Sequence, residues 1–256
     1  MSLRPAYEVR LVEKPTRHYE VTCRDGSVHR FPGVTTILGM VGGDKMQALI
    51  GWAKKQALSR VEEELRAKLG KSPKALIAID EEWIKGLISQ AKKKPQQQLA
   101  SAADYGTRAH AAIDAIIHGR EPDITDDIRP VVDGFLKWQT ESGIKIVAGD
   151  TKVASLLGGF AGSLDAWGTR GKKRVILDWK TSNAIRVLEY SAQVAAYDQG
   201  FYETYGVPFD EAYIIRFGKE TPEFEPHQVT DIHGYFRAFQ AAKLLWDRAQ
   251  AEAANV

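Results

Sequence analysis

Cysteine is almost absent from this chain, and long apolar runs are absent altogether. Its 256 residues include one cysteine, Cys23, which cannot form an internal disulfide or supply a four-cysteine zinc or iron–sulfur site. No apolar run approaches the roughly 20 residues that a membrane span needs. The N-terminal segment also lacks the apolar centre of a signal peptide. We therefore expect a cytoplasmic protein in a reducing compartment, with no membrane partner and no iron–sulfur cluster.

The chain has little net charge as well. With 35 Lys and Arg residues against 33 Asp and Glu residues, its formal charge is +2, which neither favours nor excludes a nucleic-acid partner. The 44% hydrophobic content is typical of a globular protein with one large core, or with a core and an accessory lobe. The densest basic run, Lys92-Lys93-Lys94, has two interpretations: the solvated end of a helix, or a contact to phosphate groups.

The first segment of the chain has β patterning. Alternating apolar residues and an Asp25-Gly26 turn predict β structure over residues 5–31. Thr35 or Thr36 is positioned to cap a helix that follows this segment.

A helical pattern then extends over residues 45–104. The apolar spacing is that of amphipathic helices, with a break at Gly70 and a restart at Ser72-Pro73. We therefore predict two regions. Residues 1–100 would form a β-hairpin and a helical region, and residues 101–256 would form the core with a C-terminal helix.

The core region alternates between helical and strand patterns, which predicts a mixed α/β arrangement. The predicted elements are helices at 101–118 and 124–141, strands at 144–156, 159–168 and 174–181, a helix at 189–205, a strand at 212–217 with 223–229 as its possible partner, and a final helix from a cap at Thr230 or Asp231 to about Ala253.

Two of these strands form a predicted hairpin that carries two aspartates. If Gly171-Lys172 is a two-residue type II′ loop, Arg170 faces Lys173, and the same register places Asp165 opposite Asp178. Like charges that face each other across a ladder are destabilising. A divalent cation between the carboxylates would turn this repulsion into a binding site, and Mg²⁺ or Mn²⁺ prefers such oxygen ligands.

Lys180 lies two residues after Asp178 on the same strand, so both side chains point the same way. Beside a bound cation, a lysine can orient an attacking water or neutralise a phosphate. The alternative is an exposed charge pair on a sheet face. The apolar run Val175-Ile176-Leu177 argues against exposure, because it is typical of a strand buried on both faces.

Three further polar residues lie on predicted helices. His110 shares the inward face of Ile113 and Ile117, either as a core histidine or as a neutral imidazole ligand for Mn²⁺. Gln193 and Tyr197 are four residues apart on one helix, so they lie one above the other. Either Tyr197 packs the helix while Gln193 is solvated, or both face the active site and contact a nucleic-acid backbone. Spacing alone does not decide between these alternatives.

Four short motifs occur in order along the chain. They are Gly106-Thr107-Arg108-Ala109-His110, Gly162-Ser163-Leu164-Asp165, Asp178-Trp179-Lys180-Thr181 and Gln193-Val194-Ala195-Ala196-Tyr197. Together they resemble the PD-(D/E)XK nuclease superfamily, and more narrowly its RecB-type branch, which includes Cas4-like nucleases and the mitochondrial genome maintenance exonuclease. Residues 32–38 are also similar to an N-terminal element of that exonuclease group. The core resemblance covers about residues 101–217.

The resemblance implies an α/β (α+β) restriction-endonuclease-like core of helix, three strands, helix and strand (αβββαβ) around a mixed sheet, with an N-terminal β-hairpin and a helical insertion. It also implies a role for each motif residue. The implied metal ligands are His110, Asp165, Asp178 and the backbone carbonyl of Trp179, and the implied catalytic residues are Asp165, Asp178, Lys180, Gln193 and Tyr197.

Two features depart from the family pattern. Leu164 stands where a proline often precedes the first motif aspartate. The cysteines that hold an iron–sulfur cluster in many Cas4-like relatives are missing, which argues against a Cas4-specific role.

The resemblance implies a Mg²⁺- or Mn²⁺-dependent DNase of a bacterial or phage-infected cell, active in replication, recombination, repair or phage DNA processing. We expect an exonuclease on single-stranded DNA or DNA ends, with residues 45–104 as an arch that guides one strand. The alternatives are a structure-specific endonuclease and an inactive nucleic-acid-binding module with a nuclease fold.

Overall fold

In the computed structural model, which describes residues 3–14, 16–40, 43–69 and 81–254, the chain forms eight strands and six helices. In chain order these are β1 (Glu8–Val12), β2 (His18–Thr22), β3 (Val28–Phe31), α1 (Val34–Leu38), α2 (Gly43–Leu69), α3 (Glu81–Ile117), α4 (Arg129–Glu141), β4 (Lys145–Ser155), β5 (Phe160–Arg170), β6 (Lys173–Lys180), α5 (Val187–Tyr205), β7 (Glu211–Phe217), β8 (Phe224–Gln228) and α6 (Ile232–Ala253). The predicted helix break at Gly70 and restart at Ser72-Pro73 lie outside the described residues. None of the described helices combines the length and the apolarity that crossing a membrane requires.

A five-stranded mixed sheet with strand order β4-β5-β6-β7-β8 forms the centre of the fold. Strands β6 and β7 pair in parallel, whereas the other neighbours in this sheet are antiparallel. The parallel step is possible because α5 carries the chain from the end of β6 back to the start of β7. A separate antiparallel sheet contains β1, β2 and β3. The mixed α/β class that the sequence predicted is confirmed.

Strand β6 is buried on both of its faces. Val175-Ile176-Leu177 has no exposed surface, as the apolar run predicted. On one face, Trp179 packs against two rings of α4, at centroid distances of 5.6 Å to Phe135 and 5.0 Å to Trp138. On the other face, Ile176 belongs to an apolar cluster with residues of α5 and α6. Burial of each such side chain contributes about 1.5–3 kcal/mol, so the packing holds the end of β6 firmly in place.

The β5–β6 hairpin has the predicted register, with Arg170 opposite Lys173. Gly171 has a φ of 62°, and Lys172 is not among the described non-glycine residues with a positive φ. A type II′ turn needs a positive φ at its first central residue alone, so these angles fit the predicted turn. Glycine at this position therefore sets the pairing of both strands.

The chain divides into two compact units. One contains Met1–Val41 together with Arg108–Val256, and the other contains Gly42–Thr107. This division differs from the expected regions 1–100 and 101–256. Helix α3 also has no break near residue 101, where the sequence pattern predicted a new helix to begin.

The N-terminal strands belong with the core because they share apolar contacts with it. Tyr7, Tyr19 and Val21 form one cluster with Ala154 and Ala161 of the central sheet. The Tyr7 hydroxyl also donates a hydrogen bond to the backbone carbonyl of Ala154. Sequence patterning shows strand periodicity but not the partner of a strand, so this association was not predictable.

Two predicted helix caps have different outcomes. Helix α1 begins after Gly33, which makes no side-chain capping bond, so the prediction of a cap at Thr35 or Thr36 is wrong and both threonines lie inside the helix. Helix α6 begins after Asp231, whose carboxylate accepts a hydrogen bond of 2.9 Å from the backbone N–H of Gly234. The prediction of a cap at Thr230 or Asp231 is therefore confirmed for Asp231.

Glu211 connects the tip of the hairpin to β7. Its buried carboxylate pairs with Arg170 and, at 2.7 Å, with Lys173. The hydrogen bond from Lys173, followed by that from Arg170, holds the pKa of Glu211 below its usual range. The two cations are themselves solvent-exposed, so water screens part of the attraction.

Glu211→Gln should lower the free energy of unfolding at pH 7 by about 1 kcal/mol, because it removes the charge that two cations share. A depressed folded-state pKa stabilises the fold above the unfolded-state pKa, and this contribution is lost as the pH falls through the folded-state value. Urea unfolding of variant and wild type should therefore converge in acid. Glu225→Gln removes an exposed partner of Arg216 and should have a smaller effect. A difference that persisted in acid would contradict the ion-pair explanation.

Candidate active site

The structure brings the residues singled out from the sequence together around the C-terminal end of β6. They come from four elements: α3, β5, β6 and α5. These residues are His110 on α3, Asp165 on β5, Asp178, Trp179 and Lys180 on β6, and Gln193 and Tyr197 on α5.

His110 and Asp165 form an ion pair on one side of the site. His110 Nδ1 lies 3.2 Å from Asp165 Oδ1, and the backbone N–H of Trp179 donates to Asp165 Oδ2 at 2.7 Å. Burial alone would raise the pKa of Asp165, but the charges of His110 and Lys180 and this N–H outweigh burial, so the pKa lies below its usual range. Burial would lower the pKa of His110, and the Asp165 carboxylate reverses this to a raised pKa. Both shifts favour an anionic Asp165.

Asp178 is the most deeply buried carboxylate of the site, with 1% of its surface exposed. Gln193 Nε2 donates to Asp178 Oδ1 at 3.1 Å, and Lys180 Nζ lies 2.5 Å from Asp178 Oδ2. The Lys180 ammonium is therefore the close cationic partner of Oδ2. Burial raises the pKa of Asp178 to about 6, with the charge of Lys180 opposing the rise and that of Asp165 reinforcing it. A carboxylate in such surroundings needs cationic partners to stay ionised.

Gln193 links the lysine, the buried aspartate and Tyr197. Its Nε2 donates to Asp178 and, at 3.1 Å, to the Tyr197 hydroxyl, while its Oε1 accepts from Lys180 Nζ at 3.4 Å. Because the Asp178 carboxylate can only accept hydrogen bonds, the Gln193 side-chain atom that faces it must be the amide nitrogen. Burial and then the charge of Asp178 raise the pKa of Tyr197 well above its usual value, so the phenol stays protonated. The structure thus places Gln193 and Tyr197 against the site, and a contact of either with nucleic acid stays a prediction.

The hairpin places the two aspartates on neighbouring strands. Its ladder runs from Arg170 opposite Lys173 to Ala166 opposite Leu177, in the register that the sequence predicted from the turn. The ladder ends one residue before Asp165 and Asp178, so the prediction that these two face each other as a ladder pair stays a prediction.

Strand β5 departs from regular pleating at Asp165. Leu164 and Trp167 are three residues apart, yet both pack into the apolar cluster that includes α5. Regular alternation puts residues an even number apart on one face. The neighbouring strand is irregular at the same level, since Asp150, which the flanking pairs place opposite Asp165, has a φ of 39°. Such a left-handed conformation costs a non-glycine residue about 1–2 kcal/mol.

Two acidic residues that the sequence reasoning missed lie beside the predicted ones. Asp114 follows His110 by four residues on α3, a helical spacing that could have identified it. Asp150 follows a glycine inside a strand pattern, which is a signal for a bulge. Its Oδ1 accepts hydrogen bonds of 2.5 Å from both Ser163 Oγ and Lys152 Nζ. A cavity of about 240 Å³ is lined by His110, Ala111, Asp114, Asp150, Asp165 and Trp179.

Comparison with solved structures finds several distant structural likenesses to this chain. No family model and no curated protein matches the chain. The crystal structure of SSO0001 is 12% identical with a TM-score of 0.29, and the match covers 45% of this chain and 57% of that one. The alkaline exonuclease LHK-Exo from Laribacter hongkongensis is 11% identical with a TM-score of 0.30, over 57% of this chain and 86% of that one. At these TM-scores neither likeness assigns a fold family or an activity to this protein.

The donor atoms of the site fit a divalent cation in their chemistry. Carboxylate oxygens suit Mg²⁺ and Mn²⁺, and an imidazole nitrogen suits Mn²⁺. In the part of the chain that the structure describes, no group of three His, Cys, Asp or Glu side chains is arranged as a metal site. His110 is paired with Asp165, and Asp178 with Lys180. A cation would therefore have to displace these ion pairs.

Gly162 leaves the space that the Tyr197 ring occupies. A Cβ at this residue would overlap the ring at Cε1 and lie 3.1 Å from its Cδ1. The ring is 4% exposed and belongs to the main apolar cluster, so it has little freedom to move. We therefore expect glycine to be required at this position.

Gly162→Ala should lower the free energy of unfolding by about 1–3 kcal/mol, because it overpacks the core against Tyr197. Urea unfolding measures this change. Gly86→Ala is the matched control, since its added Cβ on α3 meets no atom within 4 Å. That variant should be neutral or stabilise the protein by up to about 1 kcal/mol, through its helix propensity. Equal stability of Gly162→Ala and the wild type would contradict the packing described for Tyr197.

Proposed function

We propose that this protein is a metal-dependent DNase that hydrolyses phosphodiester bonds, acting as an exonuclease on single-stranded DNA or DNA ends. The proposal depends above all on the convergence of Asp165, Asp178 and Lys180 around the end of β6, where a buried carboxylate lies 2.5 Å from the lysine ammonium. Adjacent carboxylates attract a divalent cation, and an adjacent ammonium complements a phosphate. The four sequence motifs supply these residues in the order of a PD-(D/E)XK nuclease of the RecB-type branch.

Each side chain has a defined role in this proposal. His110, Asp165 and Asp178 would hold Mg²⁺ or Mn²⁺ together with the backbone carbonyl of Trp179. When bound, the ion would lower the pKa of a coordinated water and stabilise charge on the phosphate. Lys180 would orient the attacking water or neutralise the phosphate oxygens as charge develops.

Gln193 and Tyr197 would keep the reacting groups in place. One amide contacts both Asp178 and Lys180, so it sets the distance between the carboxylate and the ammonium. Tyr197 accepts a hydrogen bond from the same amide and limits its rotation. A contact of either side chain with the nucleic-acid backbone would add to this positioning role.

Residues 45–104 would guide a single strand, which would favour action at free ends. Within this unit, Lys94 of the basic run is paired with Glu63 at 3.1 Å, so α2 and α3 are joined by an ion pair. A protein that lacked residues 71–98, remained folded and kept its preference for free ends would contradict the guiding role.

The decisive experiment is cleavage of end-labelled single-stranded DNA by the purified protein with Mn²⁺ or Mg²⁺. The matched control is the Lys180→Ala variant, which lacks the ammonium group. Metal-dependent cleavage that the variant loses supports the proposal, whereas no cleavage, or equal cleavage by the variant, contradicts it. Circular single-stranded DNA should resist an exonuclease, and its cleavage would indicate a structure-specific endonuclease instead.

An inactive nucleic-acid-binding module is the second candidate. One observation favours it, namely that the acidic residues described here are engaged in ion pairs rather than arranged around a common point. Calorimetric titration with Mn²⁺ separates the two candidates. Binding that is lost in Asp178→Ala supports the nuclease. No binding, or binding that Asp178→Ala leaves unchanged, supports the module.

A further inference from the structure

The Lys180 ammonium has a third neighbour besides Asp178 and Gln193. Its Nζ lies 4.7 Å from the centroid of the Tyr190 ring, over the ring face. This distance is within the range of about 6 Å in which a cation and an aromatic face attract each other. The sequence motifs do not include Tyr190, and none of the roles described so far involves it.

We propose that Tyr190 is a positioning residue for Lys180, and that it acts through the face of its ring rather than through its hydroxyl. The inference rests on the proposed nuclease function, since it concerns the lysine of that site. It adds a residue on which the rate of phosphodiester hydrolysis would depend without any contact between that residue and the substrate.

The three N–H groups of the ammonium account for three separate contacts. A lysine has three donors and no acceptor. Asp178 Oδ2 lies at 2.5 Å, Gln193 Oε1 at 3.4 Å and the Tyr190 ring centroid at 4.7 Å. The side chain of Lys180 is 14% exposed, so little water is available to replace a lost contact. Removal of the ring would therefore leave the ammonium with more freedom in a largely dry site.

Helix α5 holds the ring and the amide as one rigid support. Tyr190 and Gln193 are three residues apart, so they lie on the same face of the helix. Tyr190 is 7% exposed and belongs to the apolar cluster that anchors α5 to the sheet. Its ring cannot turn away from Lys180 without a disturbance of that packing. The contact is therefore preorganised by the fold.

The ring matters most where the ion pair is weakened. Asp178 is a proposed metal ligand, and a carboxylate that binds a cation attracts a neighbouring ammonium less strongly. Gln193 and the Tyr190 ring carry no negative charge that a cation would neutralise. They would thus keep Lys180 in place whether or not Asp178 binds a metal ion.

The ring contact itself can be tested without metal or substrate. The ε-CH₂ resonance of Lys180 in a ¹H–¹³C spectrum can be assigned by its loss in Lys180→Ala. Ring current should shift this resonance upfield of the other lysines. The shift should persist in Tyr190→Phe and disappear in Tyr190→Leu. A Lys180 resonance at the ordinary lysine position in the wild type would overturn the proposal.

The role in hydrolysis is tested by the same two variants on single-stranded DNA with Mn²⁺. Tyr190→Leu should lower kcat about tenfold with little change in KM, because it mispositions a group that acts in the transition state. Tyr190→Phe retains the ring and should stay within about twofold of the wild type. A Tyr190→Phe variant as impaired as Tyr190→Leu would show that the hydroxyl matters instead, and an unimpaired Tyr190→Leu would show that the ring does not matter.

Phe209→Leu controls for simple loss of core packing. Phe209 is 7% exposed, as Tyr190 is, and lies in the same cluster. The Phe209→Leu variant should lose about as much stability as Tyr190→Leu but retain the kcat of the wild type. A loss of kcat equal to that of Tyr190→Leu would overturn the positioning role.

The outcomes also separate the role of Tyr190 from the nuclease function on which it rests. Loss of activity in Lys180→Ala with normal kcat in Tyr190→Leu refutes the inference alone, whereas full activity in Lys180→Ala refutes the proposed function.

Discussion

Asp178→Asn should reduce metal-dependent cleavage by at least about a hundredfold, while the metal-free protein stays as stable as the wild type or becomes more stable. The amide keeps the shape of the side chain and can still accept the hydrogen bond from Gln193 Nε2. It loses the negative charge that a divalent cation needs. Activity and stability are therefore expected to change independently in this variant.

The sign of the stability change follows from burial. The pKa of Asp178 is raised to about 6, so the folded protein binds this proton more tightly than the unfolded chain does. Stability from this group is then greatest at low pH and falls as the pH rises through that value. Asp178→Asn removes the free-energy cost of burying an ionised carboxylate at neutral pH, but it also deprives the Lys180 ammonium of its closest partner. We expect a net change between zero and about 2 kcal/mol of stabilisation.

Asp198→Asn is the matched control for this experiment. Asp198 lies on α5, and burial raises its pKa as it does that of Asp178. Its carboxylate accepts a hydrogen bond of 3.1 Å from the backbone N–H of Phe209. The control should show a similar direction of stability change with normal cleavage. Urea unfolding and the end-labelled DNA assay measure the two properties. A strongly destabilised Asp178→Asn protein without metal would contradict the view that burial of this charge is unfavourable.

Lys180→Ala should lower cleavage of single-stranded DNA by about a hundredfold to a thousandfold, because it removes a preorganised positive charge from a site with little water. Binding of Mn²⁺ should be retained, since the proposed ligands are unchanged, and the removal of a neighbouring cation should strengthen it. Single-turnover cleavage and calorimetric titration measure the two effects separately. A parallel loss of metal binding and cleavage would instead indicate a collapsed site.

Lys243→Ala is the control for loss of a buried lysine. The Lys243 side chain is 15% exposed, close to the 14% of Lys180, and it too pairs with a carboxylate, that of Asp247 at 2.6 Å. It lies on α6, an element that supplies none of the residues proposed for the site. Normal cleavage by this variant would show that the loss in Lys180→Ala is specific to the position.

The hairpin was the most predictable part of the candidate site. A two-residue loop with glycine first sets the pairing of both strands, and the period of two then determines which residues share a face. These are local rules, so the ladder from Arg170–Lys173 to Ala166–Leu177 and the shared direction of Asp178 and Lys180 could be predicted before any tertiary contact was known. Helical spacing placed Gln193 and Tyr197 together for the same reason.

The bend at Asp165 and the left-handed Asp150 could not be predicted in this way. At Asp150, the carboxylate accepts hydrogen bonds from Ser163 on the neighbouring strand and from Lys152 on its own strand, contacts that no alternating pattern records. Sequence periodicity assumes regular pleating, and both strands break it at this level. The association of the N-terminal strands with β4 and β5 escaped prediction because an alternating pattern shows a buried face but not what covers it.

The sequence by itself determined the α/β class, the register of the hairpin and the identity of the acidic and basic residues at its open end, because turn chemistry and apolar periodicity act over a few residues. Only the tertiary structure decided that His110 contacts Asp165, that Gln193 joins Asp178 to Lys180, and that the Tyr190 ring lies against the ammonium. These contacts depend on how α3 and α5 pack against the sheet. That packing is set by the shapes of many buried side chains at once, which no local pattern in the sequence records.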